Sequence, residues 1–299
     1  MKKIAVFFDL AGKLDYPLNK EEYLESYQEL AKQVEARGAK FFIVRQHDSY
    51  KGNGVFSNSW QFKDGEVVET GEVVIDTLFD KGARLFPSDG SMTILNNDFV
   101  NSVCVDKWKT YELFKQYCPK TIKVENQEEL VAAVSEFDGD IKVVKAIWGE
   151  GGHDVHIGST EHVLAQSYEF PVIVQEFIDT SEGIPGVYDG MHDLRIVLIN
   201  GEIIYSFYRV PQEGEYRANV AQGGELRVIE TDKIPMSVYP IIEEIKKVFD
   251  TTYYVGVDIV FLAGKPFIME LNSRVGLFSP ARGEVFQTFI ERIADMLVK

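Results

Sequence analysis

Gly256-Val257-Asp258-Ile259-Val260-Phe261-Leu262, then Ala263-Gly264-Lys265, then Pro266-Phe267-Ile268-Met269-Glu270-Leu271-Asn272 reads as an apolar β-hairpin interrupted by two carboxylates and an amide. Side chains alternate along a strand, so Glu270 and Asn272 project together. A three-residue loop with Gly264 or Lys265 left-handed pairs Leu262 with Pro266 and sets Asp258 opposite Glu270. A two-residue loop would turn Asp258 to the other face, so an odd loop is expected. Three hard oxygen-bearing groups on one face suit Mg²⁺, which takes one or two carboxylates and fills its shell with water and substrate phosphates. The plain alternative is an edge hairpin with a solvated polar face.

Around this hairpin lie 299 residues, enough for two or three domains with separate cores. The formal net charge of -16 excludes a general attraction to nucleic acid or anionic membrane. An anionic ligand must be drawn by a local basic cluster. Cys104 and Cys118 have neither metal-ligand nor redox spacing. Asp9 ends the first apolar run too early for a signal peptide, and no run approaches the roughly 20 residues that span a bilayer. Cytoplasmic residence is expected.

The chain opens with a buried strand, Ile4 to Phe8, then a helix from Lys20 to Arg37 with Tyr23, Tyr27, Leu30 and Val34 at helical spacing, then a strand from Lys40 to Arg45. This βαβ start predicts a parallel sheet with a covering helix. Val73 to Leu78 and Ala83 to Phe86 read as further short strands. Asp106 caps a helix that Pro119 ends, and Gln127 to Glu136 forms another. Asp140 to Ile147, His153 to Ile157 and Pro171 to Phe177 read as strands. Leu194 to Ile199 and Glu202 to Phe207 form a hairpin across Asn200-Gly201. Helices are expected over Ser237 to Phe249 and Gly283 to Leu297. The fold class is therefore α/β followed by α+β, with domains expected at 1–95, 96–180 and 181–299.

Lys145 shares a strand face with Ile141 and Val143, unusual unless its ammonium meets an anion. Immediately after it, Trp148-Gly149-Glu150-Gly151-Gly152-His153 can lay backbone amides against phosphates. The loop fits neither the P-loop nor the dinucleotide fingerprint, and a flexible hairpin loop is the competing reading. Pro171 to Ile178 is an apolar strand that meets a carboxylate. It either holds a purine or simply ends at the surface. Arg195, Arg209, Arg217 and Arg274 supply forked donors for carboxylate or phosphate, against the alternative of surface salt bridges. His153 and His156 fall on opposite strand faces and are poor joint ligands.

In order, Asp106-Lys107, Lys145 with its glycine loop, Gln175-Glu176-Phe177-Ile178, Asp193-Leu194-Arg195, Arg209, Arg217-Ala218-Asn219 before Gly223-Gly224, Gly256-Val257-Asp258 and Glu270-Leu271-Asn272-Ser273 resemble the ATP-grasp superfamily. Within it the chain is most similar to the ribosomal-protein glutamate ligases and their glutathione-synthetase-like relatives, from about residue 96 to 284. Residues 1–95 fit the Rossmann-like domain that precedes the grasp domains in that family. The resemblance implies ATP and Mg²⁺, or Mn²⁺ in its place. Lys107 and Lys145 would contact the nucleotide phosphates, with Gly151 and Gly152 in the loop over them. Glu176 and Phe177 would form the adenine-side hinge through backbone groups, and Asp193 would stand beside the ribose. Arg217, Ala218 and Asn219 match the family's Arg-Ser-Asn segment with alanine for serine. Asp258, Glu270 and Asn272 match the metal ligands, and Arg209 a basic residue at the transferred phosphate.

The implied activity is carboxylate–amine ligation through an acyl phosphate, with Arg209, Lys145 and Arg217 as catalytic residues. Its substrates would be small-molecule or peptide acids and amines, with no nucleic acid or membrane partner; homo-oligomers are common among such relatives. Ala221-Gln222 replaces the His-Arg pair of the ribosomal-protein ligases, Val275 and Ser279-Pro280 replace their proline and glutamate, and the Asp179 to Met191 loop is longer. These departures fall on the acceptor side. A phosphotransferase on the same scaffold and a non-catalytic nucleotide-binding regulator are the rival readings.

Overall fold

A computed structural model describes residues 1–149, 154–212, 225–277 and 283–299. The chain divides into two compact units. The first comprises Met1–Asn101, Thr251–Tyr254 and Arg274–Lys299, and the second Ser102–Asp250 and Val255–Ser273. The division is not the expected succession of three blocks, because the chain returns to its first unit twice. Asn96 explains one return: its side chain donates to Tyr254 O at 2.7 Å and accepts from Tyr254 N at 2.9 Å, imitating a ladder pair. The amphipathic last helix explains the other, since its buried face (Phe289, Ile290, Ile293) needs an apolar partner.

In the first unit, β1 (Lys3–Phe8) lies between β2 (Lys40–Arg45) and β7 (Thr77–Asp80), and β8 (Thr93–Leu95) lies beyond β7, all parallel. The opposite edge is an antiparallel hairpin, β4 (Trp60–Lys63) and β5 (Glu66–Glu69), while β3 (Val55–Phe56) pairs with β6 (Val73–Val74) apart from the main sheet. Helix α1 (Glu21–Ala36) packs on α7 (Gly283–Val298), and Arg37 Nε meets Asp295 Oδ1 at 2.6 Å. The strand expected at Ala83 to Phe86 does not form. Its backbone amides go to carboxylates instead of to a ladder: Gly82 N donates to Asp80 Oδ1 at 3.0 Å, Ala83 N to Asp9 Oδ2, and Phe86 N to Asp80 Oδ2 at 3.2 Å.

The second unit carries two sheets. The smaller has the order β11 (Val155–Gly158), β10 (Lys142–Ala146), β12 (Val172–Gln175), β9 (Thr121–Val124), antiparallel throughout. One face of it, with Val144, Val172 and Val174, is covered by Leu130, Ala133 and Val134 of α4 (Gln127–Ser135) and Val163 of α5 (Thr160–Leu164). Each buried Val or Leu side chain among them contributes about 1.5–3 kcal/mol. The larger sheet runs β15 (Glu225–Ile229), β14 (Glu202–Val210), β13 (Asp193–Ile199), β16 (Tyr254–Leu262), β17 (Lys265–Asn272). Helix α2 (Asp98–Val105) bridges the boundary at Asn101, α3 (Lys107–Phe114) follows it, and α6 (Tyr239–Val248) precedes β16. Among the described residues no helix is long and apolar enough to cross a membrane.

The hairpin of β16 and β17 closes differently from expectation. Leu262 pairs with Lys265 across a two-residue turn, Ala263-Gly264, with φ of 49° and 75°. Both residues are left-handed, as a type I′ turn requires. The face change this should cause is undone by a bulge: Ile259 pairs with Ile268 but Asp258 pairs with Glu270, leaving Met269 as the extra residue. Asp258 therefore does lie opposite Glu270, by a route the loop count did not foresee.

Candidate active site

The larger sheet builds a row of charge across four neighbouring strands. Arg209 on β14 is paired with Asp193 on β13, and Asp258 on β16 with Glu270 on β17, while β13 and β16 are neighbours. Arg195 lies two residues beyond Asp193 and so shares its face. Its fork closes on Asp258 with Nε to Oδ1 and Nη2 to Oδ2, both at 2.5 Å. Arg209 Nη2 donates both to Asp193 Oδ2 and, at 3.0 Å, to Asp258 Oδ2. Asn272 Nδ2 reaches the same Asp258 oxygen at 3.3 Å. Asp258 is only 4% exposed, and an uncompensated carboxylate could not be buried there.

These contacts set the protonation of the row. Burial by itself would raise the Asp258 carboxyl, but Arg195 and Arg209 together outweigh it and hold the group below the usual carboxylate range. Asp193 is pushed up to about 6, first by burial and then by the Asp258 charge, against the pull of Arg209. Glu270 is raised by burial, which Lys107 opposes and Asp258 reinforces. Asp193 Oδ1 is buried without a hydrogen-bond partner among the described residues. Asp193, expected beside a ribose, is thus held by Arg209 within the row, where the β13–β14 register puts it.

The smaller sheet supplies lysine. Lys145 and Gln175 lie on the face not covered by α4 and α5, since Val143, on the Lys145 face, pairs with Gln175. The Lys145 ammonium donates to Gln175 Oε1 at 2.6 Å. Lys107, the first residue of α3 behind the Asp106 cap, donates to Gly149 O at 2.9 Å and stands 3.8 Å from Glu270 Oε1. Lys107, Lys145, Gln175, Ile173, Met269 and Glu270 line one cleft, with Cys104 and Cys118 in its wall. Burial first, then the neighbouring Lys107 charge, against the opposing pull of Glu270, lower Lys145 to about 8. The cleft thus places two cations beside the carboxylate end of the row, with Ile173, Ile268 and Met269 also in its lining.

Asp258, Glu270 and Asn272 fit a divalent cation in donor chemistry. They are two carboxylates and an amide on one face of paired strands, and no cluster of three His, Cys, Asp or Glu side chains competes among the described residues. Open sites of this kind suit Mg²⁺, which keeps positions for water and phosphate. Asp258 Oδ2 already accepts three donors and Oδ1 one, so Oδ1 is the oxygen with capacity left. At the expected hinge, Glu176 N donates to Lys120 O at 2.9 Å, and the Glu176 carboxylate accepts from Lys120 N at 3.2 Å. The Glu176 backbone donor expected at the hinge is therefore engaged. Gly151, Gly152, Arg217, Ala218 and Asn219 lie outside the described residues. Arg195 was legible as a forked donor, but its role at Asp258 was not, because β13 and β16 are far apart in sequence.

The RimK-like ATP-grasp domain family matches residues 104–286, which span the row, the lysines and the cleft. The chain belongs to this family. A glutathione synthetase of Synechococcus elongatus is 30% identical over 51% of this chain and 46% of its own length. A probable alpha-L-glutamate ligase of Aeromonas salmonicida is 25% identical over 87% of this chain and 88% of its own. The chain spans about half the length of the glutathione synthetases it matches. Among solved structures, a RiPP-associated ATP-grasp ligase of Chryseobacterium gregarium, in complex with ADP and a leader and core peptide, superposes with a TM-score of 0.64 at 16% identity, covering 100% of this chain and 97% of that one. At that identity the likeness shows the fold alone, and the fold is ATP-grasp. The resemblance drawn from the ordered motifs holds at the level of family.

Proposed function

We propose that this protein is an ATP- and Mg²⁺-dependent carboxylate–amine ligase acting on small-molecule or peptide substrates. The observation that carries this is the meeting of Lys107 and Lys145 with Glu270 in one cleft, at the end of a row that holds Asp258 between two arginines. A site of this kind neutralises and positions anions, which is most of what phosphoryl transfer asks of a protein.

Asp258, Glu270 and Asn272 would hold Mg²⁺, which would supply charge neutralisation for the triphosphate. Lys107 and Lys145, which line the cleft with Glu270, bind the phosphates. Arg209, already aimed into the row, neutralises the transferring group, and Arg217 joins it in the same role. A substrate carboxylate oxygen attacks the γ-phosphorus, the bond to the β-phosphate oxygen breaks, and ADP leaves. The amine nitrogen then attacks the acyl carbon, inorganic phosphate departs, and the nitrogen loses a proton to give the amide. Exclusion of water protects the acyl phosphate in between.

The test is an ADP-release screen with panels of amino acids and short peptides, with mass spectrometry of products. Phosphate release that needs both an acid and an amine, and a product lighter by one water than its parts, supports the proposal. A phosphorylated hydroxyl product formed without amine overturns it.

A further inference from the structure

Lys145 is buried, 9% exposed, yet among the described residues no carboxylate forms a hydrogen bond or ion pair with its ammonium: its hydrogen-bond partner there is the neutral Gln175. Gln175 is itself 6% exposed, and its amide nitrogen donates to Thr121 Oγ1 at 3.0 Å. Thr121, 4% exposed, donates its hydroxyl proton to Pro119 O at 3.0 Å. The polarity of this relay is fixed at both ends. A carbonyl accepts only, so the Thr121 hydroxyl must point at Pro119, and its oxygen must accept from Gln175. An ammonium donates only, so the Gln175 oxygen must face Lys145. Each rotor in the chain has one satisfied state.

We propose that Gln175 and Thr121 are positioning residues that hold the Lys145 ammonium at its phosphate-binding post without cancelling its charge. This rests on the phosphate role given to Lys145 above. The physical point is the choice of partner. A carboxylate at position 175 would anchor the lysine as firmly, but it would neutralise the charge that a triphosphate is meant to meet and would itself repel that ligand. An amide anchors through its dipole and leaves the full positive charge available. The backbone adds a second link: Glu176 N donates to Lys120 O, so the strand pair that sets the relay continues into the expected nucleobase hinge. Among the described residues, the charged and titratable groups that act on Lys145 are Lys107 from α3, Glu270 from β17, Asp193 from β13 and Cys118, and none of these is its hydrogen-bond partner.

The experiment measures binding of a non-hydrolysable ATP analogue with Mg²⁺ across pH, and the Lys145 Nζ titration by NMR. It compares the full chain with Gln175→Glu, Gln175→Leu, Thr121→Val and Thr121→Ser. Gln175→Leu should weaken binding roughly tenfold or more, the worth of a hydrogen bond to a charged group. Gln175→Glu should weaken it as well, while moving the lysine titration upward by about one pH unit or more. Thr121→Val should shift in the direction of Gln175→Leu, and Thr121→Ser should restore the wild-type values. A merely structural role predicts that folded Gln175→Leu binds the analogue as the wild type does; that result, an unmoved titration in Gln175→Glu, or a Thr121→Ser that behaves as Thr121→Val each overturns the proposal. Wild-type protein that binds no nucleotide refutes the phosphate role of Lys145. In that case an unmoved titration in Gln175→Glu separately refutes the relay.

Discussion

Asp258 is the residue on which the most contacts converge. It accepts from Arg195, Arg209 and Asn272, and it stands opposite Glu270. Replacing Asp258 by Asn, or Glu270 by Gln, keeps the shape and removes a charge. Each should lower turnover roughly 100-fold or more, and near-normal kcat in both would remove them from the chemistry. Arg195→Ala acts on stability instead: it leaves a buried carboxylate short of its bidentate partner. Such a loss costs about 3–5 kcal/mol, to be read as a fall in the urea midpoint. Lys145 adds a pH dependence. Its folded value of about 8 lies below the ordinary 10.5, so between them the unfolded chain holds more protons and stability rises with pH. Nucleotide affinity should move the other way, falling above pH 8 as the charge is lost. Parallel urea and binding titrations over that window check both signs. The candidate site residues stand out in the sequence because their types are improbable for their settings: a lysine on an apolar strand face, carboxylates inside an apolar hairpin. The Asp193 position was not readable, because only the strand register reveals that Arg209 claims it.

Elements were legible wherever turn chemistry and periodicity agreed. Asn200-Gly201 gives the β13–β14 turn with φ of 51° and 80°, and Asp106 caps α3 by accepting from Trp108 N and Lys109 N. Asp64-Gly65, left-handed at both residues, turns the β4–β5 hairpin and carries the same signal. The strand that failed, Ala83 to Phe86, had the right composition, but the carboxylates of Asp9 and Asp80 took its amides. The closing turn of β16 and β17 misled for a related reason. Sequence shows the loop and not the bulge, and two departures of one residue cancel. Ala263 is the weak point of that turn, being a residue with a β-carbon at φ of 49°. Ala263→Asn should stabilise the protein by about 0.5–1 kcal/mol, since asparagine tolerates the left-handed region better. A lowered midpoint in thermal unfolding would show that the turn is not as described.

At the scale of the molecule, the sequence-level division into three consecutive blocks missed the two returns to the first unit, because contacts between distant segments leave no mark on local pattern. Asn96 and Tyr254 are separated by 158 positions, yet their paired hydrogen bonds are buried. Asn96→Ala should strip both partners and cost about 2 kcal/mol or more, visible in the denaturation midpoint. The family, by contrast, was legible, because ATP-grasp motifs recur in a fixed order and the order survives where identity is low. The chemistry then reduces to one claim: a triphosphate lies in the second unit between the lysines of the smaller sheet's cleft and the carboxylates of the β16–β17 hairpin. A crystal structure with Mg²⁺ and a non-hydrolysable ATP analogue tests it most directly. The account predicts a metal about 2.0–2.1 Å from oxygens of Asp258 and Glu270, with Lys107 and Lys145 on the phosphates. Triphosphate density elsewhere, or a metal that ignores both carboxylates, would contradict it.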